Sequence, residues 1–448
     1  MEKEKSRREF LKNISMGSAG LAIGGLGLGF TAKSYRNIIG SNERVRVAIL
    51  GTNSRGLSHV GAFSKLPVSE IAYICDVDDK ALGKGLDSAE KRTGKRPKSE
   101  KDLRKVLSDK DVDAISIAMP DHWHSPATIM GCQAGKHVYV EKPLSHNPHE
   151  GELAIQAARK YKRIVQMGSQ RRSWPVLTEG INELKKGVIG KIHLAKAWYT
   201  NNRGSIGIGK SAPVPAGLDY ELWQGPAPRM PFRDNLIHYN WHWFWHWGTG
   251  EALNNGTHEI DVIRWGLGID YPLRVNSVGG RYHFKDDWET PDTQIITFDC
   301  PGDTSVIWEG RSCNGRLVEG EDRGVIFYGE GGSMSTGGNS YIIYDKKNKV
   351  VKEVKSNIEI DGRNTASPSE GLDVVHFANF LDCIKSNQMP NGDVETGHKS
   401  TLWVQLGNIA HRVGHTISID QKNGHILNDA PAAKLWSREY EKGWTPKV

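Results

Sequence analysis

Between residues 45 and 167 the apolar positions fall into short runs, each closed by a polar or glycine-rich turn and followed by a stretch with helical spacing. Val45–Leu50, Ile71–Cys75, Ala114–Ala118, His137–Val140 and Ile164–Met167 have the length and composition of buried strands. Helical periodicity follows the first run through Phe63, recurs at 79–93, and fills 126–134, where Gly135 offers a C-cap. A further helix opens at Pro148, a position where proline is tolerated. Alternation of this kind predicts an α/β domain with a doubly wound parallel sheet over residues 43–168. Past residue 190 the pattern lengthens into β-rich runs at 192–199, 273–284, 293–298, 305–309, 325–328 and 341–344. Helical periodicity returns at 257–266, 370–386 and 396–414. Residues 169–448 are therefore expected to form an α+β domain with a large open, mostly antiparallel sheet. A Gly- and Pro-rich stretch at 201–240 reads as a long functional loop.

The first residues read as an address. Ser6-Arg7-Arg8-Glu9-Phe10-Leu11-Lys12 precedes a Gly-rich apolar stretch, Ile14–Phe30, too short for a membrane-spanning helix. The paired arginines mark the twin-arginine type, so residues 1–32 are expected to direct export of the folded chain to the periplasm, with no stable membrane insertion afterwards. Composition changes this picture little. Hydrophobic residues make up 38% and charged residues 25% of the 448, as in ordinary globular proteins. The net charge of +7 is spread too thinly for a nucleic-acid partner. The five cysteines show no C-x-x-C spacing, so neither a disulfide framework nor a metal site is expected.

Gly51-x-Asn53-x-Arg55-Gly56 joins the first strand to the first helix. Its glycines permit a tight turn and close approach to a pyrophosphate, while the helix amino terminus offers free N–H groups. The middle glycine of the Rossmann fingerprint is Asn53 here, a residue that tolerates left-handed angles. Asp76 ends the second strand, where a carboxylate binds adenosine ribose hydroxyls and repels a 2′-phosphate; NAD is expected rather than NADP. Asp78 is the candidate cap of the next helix.

Glu141-Lys142-Pro143 closes the fourth strand, at the edge where open α/β sheets bind ligands. With Pro120-Asp-His-Trp-His124 and Ala134-Gly-Lys-His-Val138 before it, the ordered spacing resembles the glucose-fructose oxidoreductase/inositol dehydrogenase family across roughly residues 43–415. That resemblance implies an NAD-dependent enzyme acting on a hydroxyl-bearing carbon of a sugar, sugar acid, polyol or glycoside, and a homo-oligomer built through the open sheet. It implies that Lys142 is catalytic and that Pro120, His124, Glu141 and Gln170 adjoin the cofactor, with Asp121 where the family more often has Asn. Gly250–Asp261 matches the family's second motif, in which His258 and a residue four positions earlier serve the reacting hydroxyl. That residue is Asn254, not Asp, so the proton relay is expected to rest on His258 beside Lys142. Family members that act as NAD-dependent glycosidases generally lack the lysine; a redox-neutral glycosidase or epimerase with tightly bound cofactor is the alternative.

Three further expectations concern the substrate. The run Tyr239–Trp247 holds several of the 14 tryptophans, and such rings either stack on sugar faces or pack a core. Within it, Trp245 is expected to contact the substrate. Arg171 or Arg172, after the fifth strand, holds a substrate carboxylate or pairs with a surface Asp. Asp261 completes the second motif on the substrate side.

Overall fold

A computed structural model describes residues 44–337, 340–356 and 369–448. The expected export signal, residues 1–32, lies outside them. The first domain is a six-stranded parallel sheet made of β1 (Val45–Leu50), β2 (Ser69–Cys75), β3 (Lys98–Glu100), β4 (Ala114–Ile117), β5 (His137–Val140) and β6 (Val165–Met167). Its order is β3-β2-β1-β4-β5-β6, the doubly wound arrangement with its switch point between β1 and β4. Every residue of β4 is buried and all but one of β1, as helices on both faces demand. The connecting helices are α1 (Arg55–Ser64), α2 (Asp79–Thr93), α3 (Leu103–Ser108), α4 (Asp121–Gln133) and α5 (Pro148–Lys160). Asp78 caps α2 through the Ala81 N–H at 2.8 Å. The edge strand β3 carries Lys, Ser and Glu, so its pairing rests on backbone bonds and leaves no apolar signal.

α4 starts five residues before the expected Pro126. Proline inside a helix removes one N–H and orphans the carbonyl four residues back. Here that carbonyl, on His122, accepts from Arg438 at 2.8 Å. The carboxy-terminal tail thus supplies the bond that the proline deletes.

The second sheet has ten strands in the order β14-β13-β12-β11-β7-β10-β9-β8-β15-β16. It contains β7 (Ile192–Thr200), β8 (Arg274–Gly280), β9 (Thr293–Cys300), β10 (Thr304–Arg311), β11 (Arg323–Gly329), β12 (Gly332–Thr336), β13 (Ser340–Asp345), β14 (Val350–Lys355), β15 (Ile417–Ile419) and β16 (Ile426–Leu427). Among the described residues, only β7 with β10 run parallel in this sheet. Alternating burial in β9 and β10 turns one face onto α6 (Pro175–Lys185), α8 (Thr257–Leu267) and α10 (Val394–Val413) and leaves the other open. α7 (Tyr220–Gln224) interrupts the long 201–240 loop.

The chain also crosses back. α9 (Ser369–Ser386) packs Phe377 and Phe380 into the core of the first domain, Phe377 stacking on Phe63 at 4.3 Å. Trp444 of the tail meets Trp123 of α4 edge-on at 5.2 Å. Among the described residues no helix is long and apolar enough to cross a membrane, and no cluster of His, Cys, Asp or Glu is placed to hold a metal. The five cysteines are free thiols, and all but Cys313 are buried.

Candidate active site

A cleft of about 870 Å³ opens at the carboxyl ends of β1, β2, β4 and β5, where loops of the second domain meet the first. Ligands of open α/β sheets bind at that position. Gly51 sits at φ +84°, and a Cβ there would lie 2.6 Å from the Ala118 carbonyl. A Cβ on Gly56 would lie 1.8 Å from the Gly51 carbonyl, so the turn closes onto α1 only with both glycines. Gly56 itself does not line the cleft; its role is this close approach. Asn53 does line the cleft, and its backbone is not left-handed, so no such tolerance is needed there. Ser54 makes no side-chain cap, which leaves the first turn of α1 to a ligand anion.

Asp76 lines the same cleft, anchored by the N–H groups of Thr52 (2.7 Å) and Asp78 (3.0 Å). Burial pushes its carboxyl above the usual range, against the pull of those two N–H groups. The turn, the open helix terminus and this carboxylate fit a dinucleotide running along the strand ends.

Arg55 also lines the cleft, yet its guanidinium is committed. It donates to Glu141 at 2.8 Å and to both oxygens of Asp373 on α9 at 2.7 and 2.6 Å. Glu141 further accepts from Gln170 (3.2 Å) and faces His59 at 3.0 Å. Burial alone would raise the Glu141 carboxyl, but Arg55 and His59 hold it well below the ordinary value. Arg55, Glu141 and Gln170 thus form a polar brace under the end of β5, and all three line the cleft with Gly51 and Asp76.

Lys142 projects from that braced strand end. Its Nζ donates to the Asn254 backbone carbonyl at 2.5 Å and to Asn254 Oδ1 at 3.2 Å. Burial lowers its pKa, opposed by Glu141 and Asp121. Asn254 sits in a π-helical turn, Ala252–Gly256, leading into α8. Its amide donates to Glu251 at 3.3 Å, which turns Oδ1 toward the lysine. His258, one turn on, lines the cleft with no hydrogen bond to either ring nitrogen among the described residues. Burial, then the charges of Lys142, Arg323 and Arg171, press its pKa well below the ordinary value, so the ring is neutral.

Pro120 and His124 complete the floor. The ring nitrogens of His124 face the carbonyls of Pro143 (2.6 Å) and Met119 (2.8 Å), tying the lysine turn to the end of β4. Asp121 accepts from Thr249 at 2.5 Å, and burial raises its pKa.

The three substrate-side expectations do not reach the cleft. Arg171 is buried 3.5 Å from Glu259, a fully buried carboxylate that needs the charge. Asp261 is held by Arg172 at 2.8 Å and by Ser400 at 2.6 Å. Trp245 lies outside, under the guanidinium of Arg412 at 5.1 Å. The aromatic run instead splits by position. Trp243, Phe244 and Trp247 pack inward, Trp243 stacking on Trp288 at 3.9 Å. Tyr239, Trp241 and His242 face the cleft. His242 stacks on Trp241 at 3.6 Å, and its Nδ1 donates to the Tyr239 carbonyl at 2.6 Å. Burial lowers its pKa to about 3. A short 3-10 turn at Asn240–Trp243 decides which rings face inward, and a dense aromatic run carries no sign of it.

Comparison with known proteins places these features. The family model described as "Oxidoreductase family, NAD-binding Rossmann fold" matches residues 45–169. Its companion, "Oxidoreductase family, C-terminal alpha/beta domain", matches 185–322 and 317–446. Among curated proteins, the chain is 29% identical over 210 residues to an alpha-N-acetylgalactosaminidase from Shewanella oneidensis, a match covering 43% of this chain and 45% of that one. A glycosyl hydrolase family 109 protein from Shewanella baltica is 28% identical over 208 residues, with the same coverage. The chain thus spans less than half the length of these relatives. Two solved structures share the fold. A levoglucosan dehydrogenase with NADH and levoglucosan is 16% identical at a TM-score of 0.66, covering 84% of this chain and 100% of that one. The WlbA dehydrogenase of Bordetella pertussis with NADH and UDP-GlcNAcA is 18% identical at 0.61, covering 84% and 99%.

Proposed function

The chain belongs to the glucose-fructose oxidoreductase/inositol dehydrogenase (Gfo/Idh/MocA) family with an NAD-binding Rossmann domain, and on that premise we propose that it oxidises or reduces a hydroxyl-bearing carbon of a sugar, sugar acid, polyol or glycoside. One observation carries the reading: Lys142, pinned by Asn254, shares a cleft with His258, whose ring has no hydrogen-bond partner among the described residues, and with the Gly51–Asp76 nucleotide site.

Bound NAD supplies the hydride acceptor, or in reverse the donor. This chain's residues manage the substrate oxygen and its proton. An ammonium has three N–H donors, and Lys142 spends two on Asn254. The third is free to donate to the substrate oxygen and to stabilise charge developing there. That charge lowers the proton affinity of the hydroxyl, and neutral His258 accepts its proton. Asn254 cannot take a proton; it orients the lysine. Tyr239, Trp241 and His242 supply the substrate side. With Nδ1 donating to a carbonyl, His242 presents Nε2 as a lone pair for a hydroxyl, next to the Trp241 face. An acceptor beside an aromatic surface suits a carbohydrate.

The glycosyl hydrolase names of the curated relatives favour a second reading, a redox-neutral glycosidase or epimerase that oxidises a ring carbon transiently. The presence of Lys142 favours the first. We further propose that residues 1–32 export the folded chain by the twin-arginine route. The open sheet face, with Val278 56% and Ile295 41% exposed, is proposed to join copies of the chain.

A panel of sugars and glycosides, assayed with and without added NAD⁺, tests the reading. The dehydrogenase accumulates reduced nicotinamide only with added NAD⁺ or up to one turnover of bound cofactor. The redox-neutral enzyme releases product or epimer with no net reduction. Lys142→Met lowers either activity by about 10²–10³ fold, the usual cost of removing a transition-state charge stabiliser. Full turnover by that variant contradicts the assignment.

A further inference from the structure

The segment from Asn201 to Trp247 leaves the second domain and crosses the mouth of the nucleotide cleft. It is a packed body: Leu218, Tyr220, Trp223, Phe232, Trp241 and Trp247 form a hydrophobic cluster of their own. It is fastened to the first domain in three places. Directly after Asp76, the Asp219 N–H donates to the Val77 carbonyl at 2.9 Å and the Asp79 N–H to the Gly217 carbonyl at 3.1 Å. This is an antiparallel bridge pairing Asp78 with Leu218, between residues of different domains. Lys101 adds a bond to the Gly217 carbonyl at 3.2 Å. Midway, the Trp223 carbonyl accepts from Trp123 Nε1 and His122 Nε2, both at 2.9 Å. Gly225 lies so close to the Trp123 ring that a Cβ would meet it at 1.9 Å. Beside the lysine turn, the His122 N–H donates to the Trp247 carbonyl at 3.1 Å. The tail braces the same segment, Glu441 bonding the Pro226 carbonyl and the Arg229 N–H at 3.1 and 3.2 Å.

Between these fastenings, Leu222, Trp223, His238, Tyr239 and Trp241 line the cleft that Gly51, Asp76 and Lys142 also line. A dinucleotide reaching from Asp76 to Lys142 would have to pass beneath the belt. We propose that residues 201–247 clasp bound NAD, and that the Val77–Asp79/Gly217–Asp219 bridge must open before the adenosine half can leave. Release of the cofactor is then limited by opening of this belt, whichever of the two proposed reactions the chain performs. This inference rests on NAD binding alone and not on the identity of the substrate, so it can fail while the proposed reaction stands.

The test is exchange of bound nucleotide in the full chain. Gly217 and Asp219 do not line the cofactor cleft, so substitutions there report on the clasp. Gly217→Val places a side chain at φ +89° and 3.0 Å from Asp79 Oδ2. Asp219→Pro removes the N–H given to Val77 at a φ of −81°, which proline accepts. Wild type is expected to keep close to one NAD per chain through size-exclusion chromatography and to exchange it slowly with isotopically labelled NAD⁺. Both variants are expected to exchange about tenfold faster or to emerge empty, the scale set by losing a backbone bond or two. Wild type that emerges empty, or that exchanges as fast as the variants, overturns the proposal. Should a variant fail to fold, as circular dichroism would report, the wild-type exchange rate decides by itself.

Discussion

Two residues make up the proposed reacting centre, and both are held away from their solution behaviour. Burial makes Lys142 easier to deprotonate than a free lysine, and His258 harder to protonate than a free histidine. In the proposed mechanism the enzyme works with Lys142 charged and His258 neutral. Activity is therefore expected to persist as pH falls below 6.5, where a free histidine would protonate, and to be lost on the alkaline side before the ordinary lysine value of 10.5. Asn254→Asp adds a carboxylate beside Nζ, which favours the ammonium and moves the alkaline limb of the kcat/KM profile to higher pH. An unmoved limb would remove Lys142 from that ionisation. That Lys142, His258 and Asn254 come together in one cleft is legible in the ordered motifs that hold them. Arg171, Asp261 and Trp245 lie away from that cleft, and nothing local tells a residue aimed into a cleft from one aimed at a buried ion-pair partner or a surface guanidinium. Asp373 was invisible: it meets Arg55 across 318 positions.

Elements place these groups, and their ends matter more than their middles. The β1–α1 turn depends on the contact between Gly56 and the Gly51 carbonyl. Gly56→Ala is expected to lose bound NAD and to cost about 1–3 kcal/mol of stability, the scale of a forced backbone shift. Denaturant unfolding and nucleotide content read the two effects separately. Arg438→Ala leaves the His122 carbonyl orphaned and takes a partner from buried Glu150. It is expected to cost about 1–3 kcal/mol as well, with α4 loosened. Periodicity located the buried strands and long helices of the first domain within a few residues. It missed where α4 begins because Pro126 looked like a helix start; a tail more than 300 residues away makes the earlier start possible. It missed β3 because Lys, Ser and Glu pair there through backbone bonds, and β12 and β14 because their few core-facing residues, such as Met334 and Val354, stand among small or charged ones.

At the scale of the whole molecule, several histidines are buried uncharged. His376 and His398 have their pKa lowered to about 4 by burial. Their unfolded counterparts titrate near 6.5, so below that pH the unfolded chain binds more protons and stability falls until the folded values are passed. Each contributes a loss on the order of 3 kcal/mol by pH 4. Two such losses rival the usual total stability of about 5–15 kcal/mol, so cooperative unfolding is expected as pH falls toward 4. A melting temperature unchanged between pH 7 and pH 4 would contradict this. Fold class was readable because a change of hydrophobic period marks a change of architecture. The return of α9, the tail and the 201–247 belt onto the first domain was not readable, since contacts between distant segments leave no period. The most direct measurement of the central claim is the absorbance of reduced nicotinamide when holo-protein meets a panel of sugars and glycosides in a single turnover. The account predicts reduction of bound NAD by at least one of them in wild type and its loss in Lys142→Met with NAD content unchanged; reduction at the wild-type rate in that variant, or none with any carbohydrate, would contradict it.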